Sequence, residues 1–309
     1  MGTSISFVSI FWRVLIIFSL SIFGAAARKA GWLKDEARES IANIIMNISL
    51  PALIFVSMTS DVGWERLVLG AAAPILGLGL VLLMMASAVL LAKLISVPEG
   101  RRGTFMVLCS VPNSSFIAFP VVLSVFGQEG LTYGVLYDVG VTIPLYTVVI
   151  LALQNGTGAK GSWRALINPC LAAVLLAFLL NVADVSVPEV VMEPLRIMGN
   201  ATTPLAMLTM GYLLAGLGVR KDAITLELGA VVLCKLVLYP LLAYLLMLPF
   251  NLDPLVRTVS VMVAAMPSMA STPVFVEKYG GDSDFAVTGV FVTTLLSIVT
   301  IPLMVGLLG

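Results

Sequence analysis

The chain has no histidine, and only three cysteines in 309 residues. Without histidine there is no imidazole base and no His-containing zinc site. Cys109, Cys170 and Cys234 all fall in apolar runs and form no C-x-x-C pair, so neither a metal cluster nor a disulfide framework is expected. Charge is scarce too. Only 11% of residues are charged, where a soluble domain has about 25%. The formal net charge is zero, which removes the basic field that nucleic-acid binding needs. There is no H-E-x-x-H, no G-x-S-x-G and no Walker A lysine loop, which argues against an enzyme and against direct use of ATP. No cofactor is expected.

What the chain has in excess is apolar sequence, 60% of it. Runs long enough to cross a bilayer recur from end to end, which predicts an all-α polytopic membrane protein with the lipid bilayer as its solvent. The runs predict ten transmembrane helices at 6–27, 38–58, 66–92, 103–126, 131–153, 165–182, 190–216, 225–248, 256–275 and 284–307. Basic residues after the odd-numbered spans outnumber those after the even ones by twelve to three. The larger group includes Arg28, Lys29, Lys34, Arg38, Arg101, Arg102, Lys160, Arg164, Arg220 and Lys221; the smaller is Arg66, Arg196 and Arg257. The positive-inside rule then places both termini outside the cytoplasm, in a cell inner (plasma) membrane. The basic cluster follows the first apolar stretch instead of preceding it, so that stretch reads as an uncleaved span. MGTSIS at the N-terminus and the sequon at Asn155 match lipidation and glycosylation patterns too weakly to use.

The two halves share motifs. NISLPALIF starts at Asn47 in span 2, and NATTPLAML at Asn200 in span 7. Pro112 and Pro120 interrupt span 4, as Pro267 and Pro273 interrupt span 9. VTIPL occurs at Val141–Leu145 and again at Val299–Leu303. The offset between copies is nearly constant. Each copy holds five spans, an odd number, so the copies must insert in opposite orientations, as in many secondary transporters. This predicts a first five-helix repeat at 1–153, a cytoplasmic linker at 154–164 and a second, inverted repeat at 165–309, with broken crossover helices 4 and 9.

Proline breaks free backbone groups that cost several kcal/mol each in hydrocarbon unless they face protein, water or ligand. Beside Pro112 stand Asn113, Ser114 and Ser115. Beside Pro267 and Pro273 stand Ser268, Ser271 and Thr272. Two such breaks meeting near mid-membrane would present free N–H groups and positive helix ends to an anion. Ordinary packing kinks are the competing reading. Pro51 and Pro204 mark further predicted breaks, with Asn47 and Asn200 lining the approach. Asn113 would donate to a carboxylate, or else cap carbonyls that Pro112 frees.

Three charges fall within spans. Asp138 and Lys235 are candidates for coupling transport to protons or sodium, with structural hydrogen bonding and packing as their alternatives. Lys235 is the one lysine deep enough to meet a second carboxylate. Arg13 lies close enough to the outer surface to snorkel.

The residues SLPALIF, VPNSSFIAFPVV, GNATTPLAMLTMGYLL and AAMPSMASTPVFVEKYGGDSDFAVTGVFVTTLLSIVTIPL together resemble the auxin efflux carrier family, in its bacterial form, similar to putative malonate transporters. The resemblance spans essentially the whole chain. It implies spans 4 and 9 crossing at their prolines, a scaffold and a transport part that move past one another, a homodimer, and an organic-anion pocket beside Asn113. The chain lacks the long central loop of many plant members and has Ser268, not asparagine, after the span 9 proline. Both departures weaken auxin itself as the implied substrate. The expected function is secondary or facilitative transport of a small organic anion by alternating access. A non-transporting receptor or assembly protein on the same scaffold is the alternative.

Overall fold

The computed structural model describes residues 7–59, 64–153, 168–216 and 225–308. The 154–164 linker, the N-terminal MGTSIS, Asn155, Lys160, Arg164, Arg220 and Lys221 lie outside the described residues. The described chain is all-α and multi-pass. Six helical stretches are long and apolar enough to cross a membrane: Val8–Lys29, Asp35–Thr59, Glu65–Leu94, Ser114–Leu153, Leu226–Met247 and Ser283–Leu307. Pro169–Val182 and Pro254–Ala264 are shorter apolar helices. Helix is the form such sequence must take, because it satisfies every backbone N–H and C=O within the segment.

We number the helices α1 (Phe7–Ser19), α2 (Ser21–Lys29), α3 (Asp35–Ile44), α4 (Leu50–Thr59), α5 (Trp64–Leu69), α6 (Ala72–Leu94), α7 (Glu99–Ser110), α8 (Phe119–Pro144), α9 (Ile150–Leu153), α10 (Pro169–Val182), α11 (Glu189–Asn200), α12 (Thr202–Gly216), α13 (Leu226–Leu233), α14 (Tyr239–Met247), α15 (Pro254–Ala264), α16 (Thr272–Tyr279) and α17 (Ser283–Leu308). Ser114–Leu153 has 40 residues. As one straight helix it would be about 60 Å long, twice the hydrocarbon thickness. It kinks at Gly127, whose φ of 69° and ψ of −161° lie outside the helical region and join two helices.

Several prolines do not break helices. π turns at Ile45–Ser49, Ser114–Ala118 and Cys234–Leu238 end two residues before Pro51, Pro120 and Pro240. A π turn widens the ring by one residue, which relieves the clash of proline with the preceding turn. Pro51 and Pro120, predicted as breaks, are therefore absorbed into continuous helix. Pro204 sits in the first turn of α12, just after a bend at Ala201, where a missing N–H costs nothing. It too is no break.

Helices approach closely where glycine allows it. A β-carbon on Gly140 of α8 would lie 2.6 Å from the Leu78 amide nitrogen and closer still to the Pro74 carbonyl of α6. Gly77 faces the Tyr137 carbonyl in the same way. Without a hydrophobic force between helices in lipid, such backbone contact supplies the dispersion energy of association.

Candidate functional site

Two helical interruptions face one another. α7 ends at Ser110 and the chain resumes as helix at Ser114; α15 ends at Ala264 and α16 begins at Thr272. The intervening segments cross as an antiparallel bridge between Pro112 and Ser268. The Asn113 amide donates to the Pro267 carbonyl (2.9 Å), and the Met269 amide to the Val111 carbonyl (3.1 Å). Each break thus satisfies part of the backbone the other leaves bare.

Side chains complete the crossing. Ser268 Oγ donates to the Leu108 carbonyl at 2.6 Å, and the Ser268 amide donates to Thr293 Oγ1 at 3.3 Å. Lys235 is fully buried, and its Nζ donates to the Ala264 carbonyl at 3.2 Å. Ala264 is the last residue of α15, so the lysine caps a helix C-terminus, where a donor and positive charge are favoured.

A cavity of about 910 Å³ adjoins the crossing. Pro112, Asn113, Ser114, Ser115, Ser271, Pro273 and Asp138 all line it. Phe116, Phe119, Tyr146 and Phe275 add aromatic surface, and Asn168 and Thr209 add polar groups. Arg28, Asp35, Arg38 and Glu39 form its charged mouth. There the Arg28 guanidinium stacks 4.3 Å over the Tyr212 ring, and Tyr212 Oη donates to Asp35 Oδ1 at 3.1 Å.

Asn113 is 2% exposed, and its Nδ2 has no hydrogen-bond partner among the described residues. Its own carbonyl accepts from the Ala118 amide (3.0 Å), closing the first ring of the π turn. The amides of that first turn point out of the helix end without intrahelical acceptors. Ser114 Oγ faces the Asp138 carboxyl without a hydrogen bond of good geometry.

Four sequence-predicted positions fall outside the cavity. Ser268 spends its hydroxyl on Leu108. Lys235 lies behind the crossing, held by Ala264. Asn47 is exposed and donates its Nδ2 to the Asn43 carbonyl at 2.9 Å. Asn200 is exposed at the end of α11. The π turn explains Asn47: it rotates the residues ahead of Pro51 so that Leu50 and Ile54, not Asn47, face inward.

Sequence reading missed Tyr146, Thr209, Phe275 and Asn168. Tyr146 directly follows the repeated VTIPL, and Thr209 lies inside the NATTPLAMLTM block, so both stood next to legible signals. Phe275 stood two residues after Pro273, inside the quoted C-terminal block, and Asn168 carried no signal.

Two broken helical segments thus cross beside a cavity with polar and aromatic lining. The family model described as "Membrane transport protein" matches residues 9–161 and 156–305, and the chain belongs to that family. It is 28% identical over 295 residues to an "Uncharacterized transporter" of Methanothermobacter thermautotrophicus, covering 94% of this chain and 95% of that one. It is 25% identical over 301 residues to "Uncharacterized transporter MJ1031" of Methanocaldococcus jannaschii, covering 94% and 96%. A "Putative malonate transporter" of Rhizobium meliloti is 34% identical over 105 residues, which is 34% of this chain and 32% of that protein.

Proposed function

We propose that the protein is a secondary transporter of small organic anions, carrying a carboxylate by alternating access at the crossing of its two broken segments. The reading includes ten spans in two inverted five-helix repeats. Repeated motifs support it, as do two interruptions that meet in an antiparallel bridge and the kink at Gly127. It also includes an inner-membrane location with both termini outside, and a homodimer. On that orientation the charged mouth at Arg28 and Arg38 opens to the cytoplasm.

One observation carries the substrate class. A buried Asn113 Nδ2 without a protein partner costs about 1–3 kcal/mol unless a ligand or water accepts from it. It stands at a helix start where amides also point outward, and a carboxylate oxygen fits both kinds of donor. Among the described residues the deep wall carries no lysine or arginine, since Arg28 and Arg38 lie at the mouth and Lys235 lies behind the crossing. A second negative charge would find no cation there. A monocarboxylate with an apolar body, resting on Phe116, Phe119, Tyr146 and Phe275, suits the wall better than a dicarboxylate. Malonate, named for the Rhizobium relative, belongs in the test as the contrasting ligand.

The test is binding of a panel of mono- and dicarboxylates to wild type and Asn113→Ala protein, with folding checked by thermal unfolding. Loss of a hydrogen bond to a charged group, worth about 1.5–3 kcal/mol, should weaken binding by about 10- to 100-fold. Equal affinities across the two proteins would remove Asn113 as a substrate donor.

A further inference from the structure

Asp138 is half-buried on the cavity wall, next to the helix start that carries Asn113 and Ser114. Among the described residues no lysine or arginine forms an ion pair with it. Its near titratable neighbours are Tyr137 on its own helix, Tyr146 in the following π turn and Cys170 on α10, none of them a cation.

Among the described residues, none of the charges on elements packed against α8 forms an ion pair with Asp138. Arg13 of α1 donates to the Ser124 carbonyl. Arg66 of α5 pairs with Glu129. Lys93 of α6 lies beside Arg102 and Ala152. On α15, the Asp253 carboxylate caps the Leu255 and Val256 amides, and Arg257 one turn on leaves its buried Nε without a partner among the described residues. On α12, Tyr212 serves Asp35. No ionisable residue stands on α4.

A carboxylate ligand held by Asn113 would therefore share a low-dielectric cavity with a second carboxylate and, among the described residues, no cation between them. Like charges at such separations repel strongly, and one of the pair stays protonated. We infer that Asp138 is the proton site of this transporter: binding of the anion draws a proton from bulk water onto the Asp138 carboxyl, and release of the anion lets it go. The inference rests on the carboxylate reading above. It makes anion and proton travel together, in either direction, as one neutral load on the moving part. It also supplies a reason for a deep acid to persist on the wall of an anion site. Protonated, Asp138 adds an O–H donor to those of Asn113 and Ser114.

The test is titration calorimetry of the purified full chain in nanodiscs, with phenylacetate and succinate as probes. It is run above the titration of Asp138 in two buffers of different ionisation enthalpy. Wild type should take up about one proton per bound anion, and its affinity should fall about tenfold per unit rise in pH. Asp138→Asn, nearly the same shape and permanently neutral, should keep binding, take up no proton and lose that pH dependence. Binding by wild type without proton uptake overturns the inference, as does uptake by Asp138→Asn equal to wild type, or binding that requires sodium instead. The wild-type proton count decides even if Asp138→Asn misfolds, with Asp138→Ser as a second variant. If neither probe binds at any pH, the carboxylate reading fails and this inference fails with it. If both bind without protons, the inference alone fails.

Discussion

At the scale of single residues, a polar side chain at depth can serve the fold or the ligand, and its unfilled valences separate the two. Ser268 and Lys235 each donate to a backbone carbonyl that a helix end leaves bare. The Asn113 side-chain Nδ2 has no acceptor among the described residues. Lys235→Met should therefore lower stability by about 1–3 kcal/mol, because the Ala264 carbonyl loses its donor in a buried setting. Carboxylate affinity should stay within about twofold, since a stability loss of that kind does not touch the cavity wall. Thermal unfolding and equilibrium binding on the same preparation measure both. An intact fold with affinity lost would return Lys235 to the substrate site.

At the scale of elements, two devices shape the bundle. Proline next to a π turn lets a helix bend and continue, while proline next to an extended partner strand lets it stop. The difference lies in whether a second chain segment is there to take the freed hydrogen bonds. At Pro112 the Pro267–Met269 stretch takes them; at Pro51 nothing does, and the helix closes over the defect. The second device is glycine packing between α6 and α8. Gly140→Val forces the two backbones apart and should cost about 1–3 kcal/mol, as overpacking does. Gly79→Ala, on the same α6 with open space at its β-position, should leave the unfolding midpoint unchanged or raise it. Comparable losses in both would mean that helix propensity, not backbone approach, sets the effect.

At the scale of the whole molecule, one cavity joins a charged mouth to the helix crossing, and this gives the protein a sidedness that chemistry can read. Cys170 lines the cavity, whereas Cys109 and Cys234 are buried. An impermeant maleimide added on the side of Arg28 and Arg38 should modify Cys170 far faster than the other two thiols. Bound carboxylate should slow it. Peptide mass mapping of labelled proteoliposomes reads the site of reaction. Labelling only from the opposite side would reverse the orientation proposed for the mouth.

Much of the architecture was legible along the chain. Apolar runs dictate membrane helices because lipid offers the backbone no partners, and that holds whatever the tertiary fold. Prolines beside small polar residues pointed to the interruptions at Pro112 and Pro267, yet comparable signals at Pro51 and Pro120 mark continuous helix. The limits appear at Asn47, Asn200, Ser268 and Lys235. Each has the right chemistry for an anion site, and none reaches the cavity. The reason is rotational. A helix turns about 100° per residue, and a π turn or a bend resets that phase, so which face a side chain presents depends on backbone defects upstream and on the helix it meets. Motif and spacing determined which residue types gather near the breaks. Only the crossing of the two broken segments decided that Asn113, Ser114 and Asp138 share one wall while Lys235 and Ser268 hold it up from behind.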